Sequence, residues 1–334
     1  MVPGRGLLSA PGLVILSRNA YTMKMIFFRR ALASFLALLL ATPAAAAPAL
    51  WKFGDADTTI YLFGTIHALP PGYKWQDARI GDALAKADTL VIETVIDKDP
   101  QAIARLFPPP DPSLPPILDR VPAKSRPAFV RAVAGSGLSQ AALDRMPTWQ
   151  AAFMMMGAMM RHLGIQRDAG VENNIAPAFE VPAAAGGVPR KIEGLETASA
   201  QLALFANLPE ADQRELLASI VDGQNDARTD YARMLRAWAK GDEPAIAKAF
   251  ADDKDLTPHL REVLLRQRNE NWAQWLKARL ATPGTLFVAV GAGHLAGPLS
   301  VQAMLAADGI AVERIVDQRR RHRPVAHPKA VAAR

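Results

Sequence analysis

Apolar positions along the chain recur with two alternating periods. Short strand-like runs occupy residues 58–63, 88–93, 189–193, 285–290 and 310–316, and between them apolar residues return every three or four positions. The segment "QDARIGDALAKA", 76–87, puts Ile80, Leu84 and Ala87 on one helical face, which predicts a crossover helix after the first run. A strand, an amphipathic helix and then "TLVIE" make a βαβ unit, and the handedness rule for such units predicts parallel strands. Residues 101–280 read as mostly helical with one strand candidate. The predicted fold class is α/β: a small mixed, mostly parallel sheet with an extensive helical middle region. The proline-rich "FPPPDPSLPPILDRVP", 107–122, reads as a loop within that domain, because strands of one sheet lie on both sides of it.

Two of the runs end alike. "IYLFGTIHAL", 60–69, passes through Gly64 to His67, and "LFVAVGAGHL", 286–295, passes through Gly291 to His294, so two of the six histidines close a Gly-x-x-His unit. A third run, "TLVIET", ends in a carboxylate, Glu93. Groups at the carboxyl ends of parallel strands gather along one edge, where open α/β sheets bind ligands, so His67, Glu93 and His294 are predicted to meet. Gly64 and Gly291 read as residues that let the backbone turn sharply. Pro298 reads as a helix start whose dipole favours neutral imidazole at His294. Two histidines and a carboxylate suffice to hold Zn²⁺, Mn²⁺, Co²⁺ or Fe²⁺ with positions left open for water and substrate. The competing reading of a lone loop histidine is a hydrogen-bonded structural residue. A serine mechanism lacks its Gly-x-Ser-x-Gly elbow.

Composition narrows the chemistry further. With 334 residues, half of them hydrophobic, the chain can bury a sizeable core, and zero cysteines exclude disulfides, thiolate metal sites and a cysteine nucleophile. The stretch "MKMIFFRRALASFLALLLATPAAAAPAL" has a basic start up to Arg30, an apolar run and an Ala-x-Ala site, the pattern of a signal peptide. Residues 1–46 are read as that signal, with 1–22, before Met23 and Met25, compatible with an over-extended start. The mature chain then begins at Ala47 and is periplasmic or secreted, with an uncleaved anchor as the alternative. Residues 1–47 carry five Lys or Arg and residues 319–334 carry six, with no acid in either, so the net charge of +7 leaves −4 for residues 48–318. No nucleic-acid groove follows from the basic pI. The tail 319–334 reads as a disordered cationic end, and membrane contact is expected only through the signal segment or weakly through that tail.

The ordered set of motifs resembles the TraB/GumN family, which also includes the Tiki-type metalloproteases. "LFGTIHALP", "DTLVIET" and "FVAVGAGHLAGPLSVQAMLAADGIAVERI" are similar to its opening, strand-end and closing motifs. "GVENNIAPAF" at 170–179, with Glu172 in the acidic place, "IEGLETASAQLALFANLP" at 192–209 and "RNENWAQWL" at 268–276 match segments between them. The resemblance implies one domain over residues 47–318 with His67, Glu93 and His294 as the functional positions. It implies supporting roles for Arg268, Asn269 and Glu196. The implied activity is that of a divalent-metal-dependent, peptidase-like hydrolase of peptide-like or envelope substrates. Glu93 would either complete the ligand set or accept a proton from water. The alternative is a non-catalytic metal- or haem-binding protein, or an accessory factor for envelope polysaccharide.

"MPTWQAAFMMMGAMMRHLG", 146–164, spaces Met155 and Met159, and Met156 and Met160, one helical turn apart. Copper(I) capture is one reading, and an adaptable apolar core helix is the preferred one. Trp272 and Trp275 read as core anchors, and His162 and His259 are assigned no role.

Overall fold

Consecutive residues of the strand Thr58–Thr65 enter different cores: Tyr61 and Phe63 face one apolar layer, Ile60 and Leu62 the other. That alternation makes the sheet the middle layer of a sandwich. The structure, a computed structural model, describes residues 47–181, 189–253 and 256–316. The expected signal peptide and the basic tail lie outside the described residues.

The strands are β1 (Leu50–Gly54), β2 (Thr58–Thr65), β3 (Thr89–Thr94), β4 (Lys191–Glu196), β5 (Gly284–Gly291) and β6 (Glu313–Arg314). They form one sheet in the order β4-β3-β5-β2-β1-β6. β2 and β3 each pair parallel with β5, and β3 pairs parallel with β4. β1 is antiparallel to both β2 and β6. The first βαβ unit therefore has strands of one direction, as its pattern predicts, but they are not neighbours, because β5 inserts between them. Several elements differ from the sequence reading: the segment 107–122, read as a loop, contains the helical turn Ile117–Arg120, and the strand read at 189–193 lies at Lys191–Glu196. β1 is an additional strand, held to β2 by a turn in which the Asp55 carboxylate accepts from the Thr58 N–H at 2.9 Å. The run 310–316 pairs only at Glu313–Arg314, while Ile310 and Val312 pack on the core beside it.

One face of the sheet is covered by the helix Ala78–Lys86, capped by Asp77 and burying Ile80, Ala83 and Leu84, together with Trp238, Val171 and Phe179. The other is covered by Gln267–Arg279 and Val301–Ala307, which contribute Trp272, Leu276, Val301 and Leu305. A third core, between residues 117 and 221, centres on Phe129, Met155 and Leu217. Met155 is fully buried there, as the core reading of the methionine helix requires, whereas Met154 and Met156 are exposed. Among the described residues no helix is long and apolar enough to cross a membrane.

Candidate functional site at the strand ends

β2, β3, β4 and β5 share one direction, so their carboxyl ends share one edge. There β2 leads to His67, β3 carries Glu93, β4 ends at Glu196, and β5 runs into the short turn Ala292–Leu295 that holds His294. Gly64 and Gly291 do not serve as turn residues: neither has a positive φ, and Gly291 sits at φ −49°. They are needed for close approach instead. A Cβ on Gly64 would lie 3.1 Å from the Ala292 Cα. One on Gly291 would lie 3.1 Å from His67 Nε2 and 3.2 Å from Glu93 Oε1.

Glu93 is buried at the centre of the cluster. Its Oε1 accepts from the Gly291 N–H at 2.8 Å, and its Oε2 accepts from Arg268 Nη2 at 2.7 Å and Gln201 Nε2 at 3.2 Å. Arg268 also donates through Nε to Glu196 Oε1 at 2.7 Å, and its guanidinium lies 4.6 Å over the Trp272 ring. His294, against the same indole at 4.4 Å, donates from Nδ1 to Asn269 Oδ1 at 2.6 Å. The amide of Asn269 is fixed in turn by its bond to the Leu299 carbonyl at 2.6 Å. His294 Nε2 therefore carries a lone pair, which accepts from Arg268 Nη1 at 3.1 Å. His67 repeats the device with a carboxylate. Its Nδ1 donates to Glu172 Oε1 at 2.8 Å, and the Thr65 hydroxyl donates to that same oxygen. The second nitrogens of both rings then face one atom: His67 Nε2 is 3.6 Å and His294 Nε2 3.8 Å from Glu93 Oε1. The His67 side chain is 57% exposed and that of His294 7%, so the cluster opens to solvent on the His67 side.

Burial and charge divide the protons. Burial holds the His294 imidazolium down to a pKa of about 3, assisted by the cations Arg268 and His67 and opposed by Glu93. The helix dipole expected from Pro298 is not the cause, because Pro298 lies in a turn and the next helix starts at Val301 with Ser300 as its cap. For His67, desolvation works against the charged form, but the Glu172 hydrogen bond and the charges of Glu172 and Glu93 outweigh it and raise the pKa to about 9. Burial likewise opposes ionisation of Glu93, yet His294, His67, Arg268 and the Gly291 N–H together lower its pKa to about 2. Since His294 is neutral near pH 7, the positive charge that keeps Glu93 ionised there comes from His67 and Arg268.

The donor chemistry suits a divalent ion. Each imidazole has its Nδ1 committed to an acceptor, the arrangement that fixes the tautomer of metal-ligating histidines. Ligand atoms about 2.1 Å from a tetrahedral ion stand about 3.4 Å apart, close to the two separations from Glu93 Oε1. One condition remains: Arg268 must release His294 Nε2. As arranged, no three His, Asp or Glu side chains among the described residues form a metal-spaced group.

Every site residue named from the sequence reaches this edge: His67, Glu93, His294, Arg268, Asn269, Glu196, Gly64 and Gly291. Thr65 and Gln201 lie within quoted motifs but are not singled out by the sequence reading, and each acts through a partner more than 100 positions away. Glu172 is marked only by its place in "GVENN". His259 lies elsewhere, paired with Asp212.

A sequence model of the TraB/PrgY/gumN family matches residues 49–314. The uncharacterised protein YbaP of Escherichia coli K12 is 24% identical over 245 residues, which cover 73% of this chain and 87% of the relative. The protein of the same name from Shigella flexneri matches to the same extent. No solved structure matches the chain.

Proposed function

Because the chain belongs to the TraB/PrgY/gumN family, we propose that it is a divalent-metal-dependent hydrolase of peptide-like substrates in the cell envelope, with the ion held by His67, Glu93 and His294. The observation that supports this reading is the convergence of two tautomer-fixed imidazoles, through Nε2, on one carboxylate oxygen at an open sheet edge. A divalent ion bound there would supply Lewis-acid polarisation of a carbonyl and a bound water of lowered pKa.

The protein's own groups have separable tasks. Glu172 and Asn269 fix the two rings. Arg268 and Gln201 occupy Glu93 Oε2, leaving Oε1 turned toward the imidazoles. With its pKa near 2, Glu93 is a weak base at neutral pH, so ligation is the role it suits. At that pH the proton on His67 Nε2 must leave before the nitrogen can ligate, so binding releases protons and strengthens as pH rises.

A second reading, a metal-free binding or accessory protein, is favoured by the guanidinium of Arg268 on His294 Nε2. Thermal-shift titrations with Mn²⁺, Co²⁺ and Zn²⁺ separate the two. The hydrolase reading expects a concentration-dependent stabilisation of the wild type, weakened at least about tenfold in His67→Ala and in His294→Ala. The double variant should be little worse than either single one. No shift in the wild type would leave the second reading, and independent additive losses from the two histidines would mean that they do not share one ion.

A further inference from the structure

A cavity of about 170 Å³ lies between the helix Ala198–Ala206 and the segment around Val263. Its walls are Ala200, Ala203, Leu204, Leu208 and Val263, with Asn207 and His259 supplying the polar atoms of its lining. The His259 ring is oriented by Asp212 through Nδ1, so Nε2 is the nitrogen available to an occupant.

Each wall of this cavity adjoins, along the chain, a residue bonded within the site. Gln201, whose side chain donates to Glu93 Oε2, lies three positions before Leu204, one turn away on the same helix. On the opposite wall, Val263 adjoins Leu264, whose carbonyl accepts from Arg268 Nη1 at 3.3 Å. Val263 belongs to the π-helical stretch Glu262–Arg266, which runs directly into the helix bearing Arg268. Such stretches occur frequently at functional sites. The helix Ala198–Ala206 is also out of balance: only Ser199 and Gln201 are polar, yet none of its residues is buried. An apolar hollow with a few polar atoms is the ordinary form of a ligand pocket.

We propose that this cavity is the specificity pocket of the site and takes an apolar side chain, of leucine to phenylalanine size, from a peptide-like substrate placed against Glu93 and Arg268. The proposal rests on the hydrolase reading for the word substrate; the binding itself does not require turnover. Size agrees, since an apolar cavity of about 150 Å³ accommodates a benzene ring. Asn207 and His259 leave room for water or a substrate carbonyl among the apolar walls.

The test uses N-acetyl-leucinamide and N-acetyl-glycinamide with the mature wild-type protein, their binding read by NMR without added metal. The leucine probe should bind at least about tenfold more tightly, the scale on which apolar pockets discriminate aliphatic groups. Ala203→Phe and Val263→Phe fill the cavity from opposite walls, and each should abolish the preference while retaining a cooperative melt. Leu204→Ala enlarges the cavity and should shift the preference toward N-acetyl-phenylalaninamide. Equal binding of the two probes to the wild type, or a leucine preference that survives both filling variants, would overturn the proposal. Binding of both probes is read without added metal, so a failed metal titration leaves this result intact. Conversely, metal-dependent turnover indifferent to the side chain would remove the pocket and leave the hydrolase.

Discussion

Replacing Gly291 by alanine places one methyl group where both imidazoles face Glu93. The backbone there, φ −49° and ψ 136°, is open to any residue, so contact alone decides the outcome. The new Cβ would meet His67 Nε2 at 3.1 Å, Glu93 Oε1 at 3.2 Å and His294 Cδ2 at 3.6 Å. Glu93 is tethered through both oxygens, and His294 is enclosed. His67, more than half exposed, is the group able to yield, and it yields toward solvent. Overpacking costs typically about 1–3 kcal/mol, and a neighbour that can swing outward puts this case near 1, or a fall of about 2 °C for a domain of this size. Gly64→Ala is the matched control. Its Cβ would meet the Ala292 backbone at 3.1 Å inside a buried contact, so its cost should be about 3 kcal/mol. Thermal melts of both variants and an NMR titration of the His67 ring provide the assay. Wild-type His67 should titrate at about 9, and in Gly291→Ala the ring, pushed from Glu93 but still bonded to Glu172, should titrate lower. A Gly291→Ala protein as destabilised as Gly64→Ala, or one whose His67 titration is unchanged, would refute the reasoning.

The folded pKa of His67 is raised from an ordinary 6.5 to about 9, so its stabilisation is complete below pH 6.5 and is lost as pH climbs to about 9. Solvent screening of the exposed ring keeps the amplitude below the full shift, and urea midpoints should fall across that window in the wild type but not in His67→Gln. On the acid side the sign reverses: His294, lowered to about 3, gives stability present above pH 6.5 and lost as pH falls toward 3. Arg268→Met should cost about 3–5 kcal/mol by urea denaturation, because it leaves the carboxylate of Glu196 without its cation and that of Glu93 with His67 alone; a loss under about 1 kcal/mol would contradict that. Expression in a Gram-negative host should yield a mature chain beginning at Ala47 by intact mass, and recovery of membrane-bound chain retaining residues 23–46 would revive the anchor.

The parts of this fold legible in the sequence are those whose signals are local. β2, β3 and β5 are apolar runs closed by a glycine or a carboxylate, and the edge they share follows from a parallel sheet. That is why His67, Glu93 and His294 can be placed together without coordinates. β1 escaped because "LWKFG" is a short alternation close to Pro48, indistinguishable from a loop until its partner is known. The insertion of β5 between β2 and β3 is a matter of pairing, to which a strand's own pattern is silent. The glycines show the same limit: their spacing marks them, but the reason for them is a neighbour far along the chain, Ala292 for Gly64 and the His67–Glu93 pair for Gly291. Glu172 and Gln201 are ordinary helical residues until the fold brings them beside His67 and Glu93.

The position of β5 also governs how the molecule comes into being. Among the described residues it is the last long strand to be synthesised, yet it occupies the middle of the sheet, where Thr58 pairs with Gly284 and Thr89 with Leu286. Until it arrives, β1 with β2 and β3 with β4 are separate ribbons, each with an open apolar edge available to another chain. Assembly must therefore wait for pairings spanning most of the sequence, the slow kind, and the growing chain is exposed to self-association throughout. A chain stopped or clipped before Gly284 cannot persist as a partly active fragment. It lacks His294 and Arg268 is left without a sheet to lie on, so the site exists only in molecules that have been made past β5.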